Sequence, residues 1–294
     1  MEKQRPMPVN LYGLAIALGV AAAIFYMSRQ EAAQSLPQDT AIDVALYAVP
    51  LALVVSRLYF VAFTWEDYKD DLFKILRIWE GGVAIYGGII GGAIGVYALS
   101  RRRKLPFLAL ADLVAPALLL GQAIGRWGNF FNQEAYGYMV SQPAFQFFPV
   151  AVYADGSWHM ATFFYESIWN LAGFVFLHLN RKRFTGKGRG MLFAWYLIWY
   201  GLGRMVIEGL RTDSLMWGSL RISQVVSVVL VLAAGAWVLW RLRPGKSFFV
   251  LPSIAALAGV LAANNTSAWA IHVMFISLFA FSGTLLQPFC TNKA

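Results

Sequence analysis

Residues 125–137 read Gly125-Arg126-Trp127-Gly128-Asn129-Phe130-Phe131-Asn132-Gln133-Glu134-Ala135-Tyr136-Gly137, and they directly follow an apolar run, Leu113–Ala123. This short stretch carries a guanidinium, three side-chain amides and a carboxylate, with glycines at both ends. Such groups each cost a few kcal/mol or more when they are left unpaired in hydrocarbon. The stretch therefore predicts a polar site, provided that the neighbouring apolar run crosses a membrane.

The composition is that of a membrane protein. The chain has 294 residues, of which 59% are hydrophobic and 13% charged, and its mean hydropathy is +0.57. Soluble proteins average about a quarter charged residues. The 24 Lys and Arg residues outnumber the 15 Asp and Glu residues. In a membrane protein this excess indicates topology signals and an anionic lipid partner, whereas nucleic acid is not expected as a partner.

Apolar runs of bilayer-spanning length, roughly 17–25 residues, define the predicted architecture. Seven of them precede Lys246: Leu11–Met27, Val44–Thr64, Gly82–Leu99, Phe107–Ile124, Thr162–Leu179, Met191–Leu210 and Ile222–Trp240. Two further apolar segments, Phe248–Ala263 and Ala268–Leu286, follow it. We predict an all-α, polytopic bundle with seven core transmembrane helices in residues 1–246. Residues 247–294 would add one or two C-terminal apolar segments, to which the sequence assigns no role.

Basic residues orient these spans, because cytoplasmic loops carry an excess of Lys and Arg. With the N-terminus outside, the inner loops hold 13 Lys and Arg residues and the outer segments hold eight. This orientation places residues 125–161 on the non-cytoplasmic side of the membrane. The first apolar run lacks a small-residue cleavage site, so we interpret it as a retained helix.

The third span is rich in glycine. It opens with Gly81-Gly82, and small residues then recur at four-residue spacing, in the pairs Gly87/Gly91, Gly88/Gly92 and Gly91/Gly95. This spacing leaves one face of bare backbone, which indicates close packing against a neighbouring helix. A ligand approaching the bare face is the alternative for residues 81–88, at the outer end.

Two groups of polar residues are candidates for chemistry. Arg126, with Asn129, Asn132 and Glu134 in the turn expected after the fourth span, is typical of a phosphate or other anion site. Arg204 and Glu208 lie four residues apart within an apolar run, and Tyr200 and Arg211 flank them. A purely structural ion pair is the alternative for Arg204 and Glu208.

Other candidates favour a structural role. Arg57, inside the second span, is expected to snorkel or to be paired, and Tyr12 alone is typical of an interfacial belt. The three histidines have no metal-ligand spacing, and the sequence has no HExxH, GxSxG or GxxxxGK[ST] motif. Cys290 is the only cysteine. We therefore expect no metal site and no cofactor.

The whole stretch 125–137 closely resembles the signature of the prolipoprotein diacylglyceryl transferase family. The resemblance covers about residues 10–245 in order, and it extends to these motifs: Tyr12-Gly13-Leu14, Ile78-Trp79-Glu80-Gly81-Gly82, Tyr165-Glu166-Ser167, Tyr200-Gly201-Leu202-Gly203-Arg204 with Glu208 and Arg211, and Arg221-Ile222-Ser223-Gln224. It implies a seven-span enzyme of the bacterial plasma (inner) membrane with its active site facing outward. The implied reaction moves the diacylglyceryl group of phosphatidylglycerol onto the lipobox cysteine of a prolipoprotein and releases glycerol 1-phosphate.

The resemblance also implies roles for individual residues. Arg126 matches the arginine that binds phosphatidylglycerol, and we expect Arg204 to share the phosphate while Glu208 orients Arg204. The expected catalytic residues are Tyr12, Tyr86, Asn129, Arg204 and Glu208. The expected substrate-binding residues are Arg126, Asn132, Glu134, Gly137, Tyr200, Arg211, Gly81, Gly82, Gly87 and Gly88.

Two departures from the family pattern leave alternatives open. Tyr86 stands where many family members carry a histidine, and an unperturbed tyrosine has a pKa of about 10, which makes it a poor base at neutral pH. The segment after Lys246 has no counterpart in the motifs. A non-enzymatic binder or transporter of anionic lipids, or a family member with an altered acceptor, are the competing readings. Paired halves with interrupted helices, as in many transporters, are not visible in the sequence.

Overall fold

The computed structural model describes residues 10–213, 216–217 and 220–242. The two predicted C-terminal segments and Cys290 lie outside the described residues. The described part is mostly helical, as predicted, and contains seven α-helices. They are α1 (Leu11–Gln30), α2 (Thr40–Phe63), α3 (Ile85–Arg103), α4 (Phe107–Phe131), α5 (Thr162–Thr185), α6 (Met191–Leu210) and α7 (Ile222–Leu242).

Four of these helices are long and apolar enough to cross a membrane: α1, α2, α4 and α7. Two of the other three, α3 and α5, carry more charged residues than these four. Helix α3 ends in Arg101–Arg103, α5 ends among basic residues, and α6 holds Arg204 and Glu208. The composition and these helices are consistent with an all-α membrane protein.

Two predicted boundaries are wrong for identifiable reasons. Helix α4 continues to Phe131, so Arg126 and Asn129 lie on its last two turns and not in a turn after it. The helix continues because the Arg126 side chain finds partners there, as described below. Helix α3 begins at Ile85, later than predicted, because Gly81 and Gly82 have φ angles of +89° and +75° and cannot be helical.

Short strands occur between the helices, and the sequence analysis did not predict them. Strands β1 (Ala151–Ala154) and β2 (Ser157–Met160) form an antiparallel hairpin, and β3 (Met216–Trp217) pairs with β4 (Leu220–Arg221). Asp155 and Gly156 connect β1 to β2 with φ angles of +49° and +81°. Positive φ at both central positions is the preference of the tight hairpin turn, for which Asp-Gly is a common sequence.

The chain divides into two compact units, and each is described by itself. One unit contains the described residues of Met1–Ala22 and Ala115–Ala294, and the other is Ala23–Val114. In the first unit, α6 packs against both α5 and α7. Its apolar core includes the fully buried side chains Leu177, Phe184, Leu192, Ile198 and Val238. The start of α1 joins this unit through Gly19, whose Cα lies against the backbone carbonyl of Gly121 on α4.

In the second unit, α2 and α3 pack along the glycine face, as predicted. A Cβ atom added at Gly87 would lie 2.7 Å from the Cα atom of Ser56, and one added at Gly95 would lie 2.5 Å from the carbonyl oxygen of Tyr47. Gly91 meets the backbone of α2 in the same way, whereas a Cβ atom at Gly92 would be 4.0 Å from its nearest neighbour. Gly87, Gly91 and Gly95 therefore form the face of α3 that packs against the backbone of α2. Gly92 lies on an adjacent face that does not contact this backbone.

Arg57 holds the segment that leads into α3. Its side chain is 4% exposed and donates to the carbonyl oxygens of Ile75 at 3.0 Å, Gly82 at 2.9 Å, and both Lys74 and Gly81 at 2.5 Å. The expectation of a paired arginine is confirmed, and these hydrogen-bond partners are peptide carbonyls. The positive φ angles of the two glycines turn their carbonyl oxygens toward this guanidinium.

We predict that Gly91→Ala destabilises the protein and that Gly92→Ala does not. An added methyl group at position 91 would overlap the backbone of α2, which cannot yield as a side chain can, and such overpacking costs about 1–3 kcal/mol. Thermal unfolding of the detergent-solubilised variants measures the difference. Equal unfolding temperatures for the two variants would contradict the assignment of the packed glycine row.

Candidate functional site

One carboxylate joins two arginines at the centre of the first unit. Glu166 on α5 is 3% exposed, and its Oε1 atom lies 2.6 Å from Nη2 of Arg126 on α4. Its Oε2 atom lies 3.3 Å from Nη1 of Arg204 on α6. Three helices that are distant in sequence therefore meet at a single ion-paired group.

A second carboxylate completes the group. Oε2 of Glu208, which is 2% exposed, lies 2.7 Å from Nη2 of Arg204, one helical turn earlier on α6. The predicted Arg204–Glu208 pair is thus confirmed as a contact. Two guanidiniums and two carboxylates balance each other, which is the arrangement that buried charges require. We call Arg126, Glu166, Arg204 and Glu208 the arginine–glutamate network.

The side-chain amide of Asn129 extends this network toward the loop. Asn129 accepts from Nη1 of Arg126 through Oδ1 at 3.3 Å and donates from Nδ2 to Oε1 of Glu134 at 2.8 Å. The backbone N–H of Glu134 also donates to the carbonyl oxygen of Asn129 at 3.0 Å. The amide therefore faces a cation with its oxygen and an anion with its nitrogen. Asn132 lies apart, with an exposed side chain.

Two predicted tyrosines lie beside the network. The Tyr200 hydroxyl is within electrostatic range of Arg126, Arg204 and both carboxylates. The Tyr12 ring packs on Gly128, where an added Cβ atom would lie 2.9 Å from Cδ2 of Tyr12. The missing side chain of Gly128 therefore makes room for the Tyr12 ring on α4.

Gly137 and Arg211 are brought together through their backbones. The two residues form an isolated antiparallel bridge, and an added Cβ atom at Gly137 would lie 2.7 Å from Cβ of Met160 and 3.0 Å from the carbonyl oxygen of Leu210. A side chain at position 137 would push these segments apart. The glycine thus matters for packing at the end of α6.

The Arg211 side chain pairs with a carboxylate beyond the end of α6. It forms a two-pronged ion pair with Asp213, with Nε to Oδ1 at 2.9 Å and Nη2 to Oδ2 at 2.7 Å. The hydrogen bonds from Arg211 are the main reason that the pKa of Asp213 lies below its usual range. Asp213 was not identified from the sequence.

Tyr136 in the same loop stacks on His159, with 5.7 Å between the ring centroids. Burial is the largest factor that raises the pKa of Tyr136 to about 12, and the charges of Asp155 and Glu134 add to it. His159 also lies 2.8 Å from the Ser157 hydroxyl and 3.3 Å from the Gly137 carbonyl oxygen. These contacts attach the β1–β2 hairpin to the end of the 125–137 stretch.

The remaining predicted residues lie in the second unit. Tyr86 is half-buried on the first turn of α3. Gly81 and Gly82 turn their carbonyl oxygens to Arg57, and α2 fills the space beside Gly87. An added Cβ atom would meet nothing within 4 Å at Gly81, whose φ angle is +89°, and its nearest neighbour at Gly88 would be 3.9 Å away. The bare face at Gly87 therefore serves helix packing.

Glu166 is the residue that sequence reasoning missed. It lies in the motif Tyr165-Glu166-Ser167, yet we assigned it no role. The signal was available, because it is the only carboxylate in the apolar run Thr162–Leu179. A charge at such a position is expected to have a partner within the bundle.

A groove of about 360 Å³ lies beside the network, between the start of α1, the end of α4 and α5. Its lining is almost entirely apolar, and it includes Leu14, Leu18, Leu120, Trp127, Phe131 and Leu171. The hydroxyl of Ser167, also in the lining, already donates to the Ala123 carbonyl oxygen at 2.7 Å. The first unit thus offers an apolar volume next to a set of cationic donors. The described residues contain no group of three or more His, Cys, Asp or Glu side chains that could hold a metal ion.

Comparisons with known proteins identify the family of this chain. The family model for prolipoprotein diacylglyceryl transferase matches residues 2–240. A protein of Halalkalibacterium halodurans is 45% identical over 248 residues, which cover 82% of this chain and 84% of the relative. Relatives from Streptococcus suis and Bacillus cereus are 42% and 44% identical and cover 85% and 82% of this chain and 94% and 91% of their own lengths. All three are named phosphatidylglycerol–prolipoprotein diacylglyceryl transferase. This chain belongs to the prolipoprotein diacylglyceryl transferase family.

Proposed function

We propose that this protein transfers the diacylglyceryl group of phosphatidylglycerol to the cysteine thiol of a prolipoprotein. In the reaction the bond between the glyceryl carbon and the phosphate oxygen breaks, and a thioether bond forms to the cysteine sulfur. Glycerol 1-phosphate leaves, and the thiol proton is released. The observation that carries the proposal is the arginine–glutamate network, in which two guanidiniums meet in a chain of this family.

The network supports binding of a phosphate. A guanidinium presents planar pairs of N–H donors that match two oxygens of a carboxylate or a phosphate. Glu166 occupies donors of both Arg126 and Arg204, so a phosphate oxygen that approaches the arginines finds them already held side by side. Negative charge grows on the phosphate as the carbon–oxygen bond breaks, and preplaced cations lower the free energy of that transition state. Glu208 orients Arg204 in this arrangement.

The acceptor thiol must lose its proton. A free cysteine has a pKa of about 8.5, and neighbouring cations lower the pKa of a thiol. We assign activation of the thiol to close approach of its sulfur to the guanidinium of Arg126 or Arg204, because position 86 carries a tyrosine and not a histidine base. Tyr86 then serves as a hydrogen-bond donor to the head group or to the thiol.

The apolar groove supports an assignment for the lipid tail. Trp127 and Ser167 in its lining are the direct sequence neighbours of Arg126 and Glu166. A head group bound to the arginines therefore places its glycerol backbone at the entrance of the groove. We assign the groove to one acyl chain of phosphatidylglycerol.

Topology and location complete the proposal. All seven described helices span the bacterial plasma membrane, and the network faces the outer side, where the distribution of Lys and Arg places residues 125–161. The cysteine that is modified belongs to a lipobox, and residues 1–246 form the catalytic domain. The partners are phosphatidylglycerol, prolipoprotein signal peptides and the bilayer.

A direct assay tests the function, with Arg126→Lys as the test of the site. Purified protein is incubated with phosphatidylglycerol vesicles and a lipobox peptide, and the peptide mass is measured. We expect a diacylglyceryl mass increase with the wild-type chain and a sharp loss, of the order of 100-fold, with Arg126→Lys, because lysine lacks the planar fork. Binding of the lipid without product would support the anionic-lipid binder or transporter. Full activity of a membrane-inserted Arg126→Lys protein would refute the role of Arg126.

Glu166→Gln tests the centre of the network, and Asp213→Asn is its control. Removing the charge of Glu166 deprives Arg126 of its buried carboxylate partner, while Arg204 keeps Glu208, and breaking such a pair costs roughly 3 kcal/mol of unfolding free energy. We expect turnover to fall along with stability. The Arg211–Asp213 pair is more exposed, so its loss should cost less than about 1 kcal/mol. Chemical denaturation measures the unfolding free energy of both variants, and the transfer assay measures their turnover. Wild-type stability and turnover in Glu166→Gln would show that the contacts of Glu166 with Arg126 and Arg204 are dispensable.

Tyr86→Phe tests the tyrosine at the histidine position. We expect turnover to fall by about tenfold, the scale of one lost hydrogen bond of 1–1.5 kcal/mol, while the protein remains folded because the ring is retained. The kcat and KM values of the purified variant distinguish a role in chemistry from one in binding. Unchanged turnover would remove Tyr86 from the mechanism.

A further inference from the structure

Helices α5 and α6 carry the same short pattern. Trp169 and Gly173 on α5 are four residues apart, and so are Trp199 and Gly203 on α6. Residues at this spacing share one face of a helix. Each helix therefore presents a large indole and a bare glycine side by side, one turn apart.

The two patterns interlock. Nε1 of Trp169 donates to the carbonyl oxygen of Trp199 at 3.0 Å, and Nε1 of Trp199 donates to the carbonyl oxygen of Trp169 at 3.0 Å. The indole rings stack with 4.8 Å between their centroids and 26° between their planes. The result is a reciprocal pair of side-chain to backbone hydrogen bonds between two helices.

Both glycines are required by this geometry. A Cβ atom at Gly203 would overlap Nε1 of Trp169, and a Cβ atom at Gly173 would overlap Nε1 of Trp199. Each indole thus occupies the volume that a side chain on the opposite helix would take. We call Trp169, Gly173, Trp199 and Gly203 the tryptophan clasp.

The clasp lies next to the arginine–glutamate network. Trp169 follows Glu166 by three residues on α5, and Gly203 directly precedes Arg204 on α6. A helix rises about 1.5 Å per residue, so sliding one helix past the other by a single residue shifts its side chains by that amount. The Arg204–Glu166 contact is 3.3 Å long. A shift of 1.5 Å along the axis would take it outside hydrogen-bond range.

We propose that the tryptophan clasp fixes the axial register of α5 and α6 and thereby holds Glu166 opposite Arg204. Its four members are positioning residues for the phosphate site. The inference rests on the proposed transfer activity for its readout. The clasp explains why Arg204 contacts Glu166. Its two hydrogen bonds and two glycine contacts allow only one axial register of α5 and α6.

The test replaces a glycine of the clasp with alanine, so that the added methyl group overlaps the indole on the opposite helix. Gly203→Ala forces the Trp169 indole away, and we expect kcat for diacylglyceryl transfer to fall by roughly 100-fold, the scale of a misplacement of about 1 Å. Gly235→Ala on α7 is the matched control, because an added Cβ atom there meets nothing within 4 Å. It should leave kcat unchanged. If Gly203→Ala does not fold, Trp169→Phe removes the N–H donor together with the five-membered ring while keeping an aromatic side chain, and a loss of kcat of about tenfold is expected.

A second substitution that restores the activity of a glycine variant distinguishes the proposed pairing from a general loss of stability. Trp169→Leu should raise the activity of Gly203→Ala by removing the overlapping indole, and Trp199→Leu should not. For Gly173→Ala the effective suppressor should be Trp199→Leu. Suppression of both glycine variants by either tryptophan variant would overturn the proposed pairing.

A double substitution shows whether the clasp acts through the network. Adding Gly203→Ala to Glu166→Gln should lower kcat no further, because the contact that the clasp positions is already gone. Additive losses would overturn the proposal. Failure of the proposed function can be told apart from failure of the clasp proposal. In the first case the wild-type chain itself shows no transfer activity, before any variant is compared. In that case the affinity for phosphatidylglycerol vesicles, measured on the same set of variants, tests the clasp.

Discussion

The site depends on one carboxylate that two guanidiniums share. Glu166 lies between Arg126 and Arg204, and without it α4 and α6 would face each other with like charges in a medium that screens poorly. The bridge sets the spacing of the arginines before any lipid arrives. In the proposed mode of binding, an incoming phosphate exchanges contacts with a carboxylate, because the network contains equal numbers of positive and negative groups. Such a site favours ligands with the geometry of an oxyanion over ligands that are merely negative.

Much of this arrangement was predictable from the sequence. Polar residues in apolar surroundings identified Arg126, Asn129, Glu134, Arg204 and Glu208, and the structure connects all five through hydrogen bonds or ion pairs. The seven helices follow from apolar run lengths, and the packing of α3 on α2 follows from glycine spacing. These predictions worked because an unpaired polar group costs much free energy in hydrocarbon. A polar residue within an apolar run is therefore expected to be buried against a partner.

The rest required knowledge of contacts between distant segments. The role of Glu166 could not be assigned because its partners are 38 and 40 residues away along the chain, on two other helices. The pairing of Arg211 with Asp213 depends on how the chain turns after α6, which apolar periodicity does not encode. Helix α4 ran past its expected end because side-chain pairing outweighed the polarity of its last turns. How Tyr86 relates to the chemistry also lies beyond sequence patterns.

The anchor at Arg57 has a consequence for how the protein responds to its surroundings. Neither a guanidinium nor a peptide carbonyl changes its protonation between mildly acidic and alkaline conditions, so this contact has no titrating member. Asp213, whose pKa is lowered by Arg211, likewise keeps its charge further into acid than an ordinary aspartate. The turn into α3 is thus held by contacts that do not depend on pH.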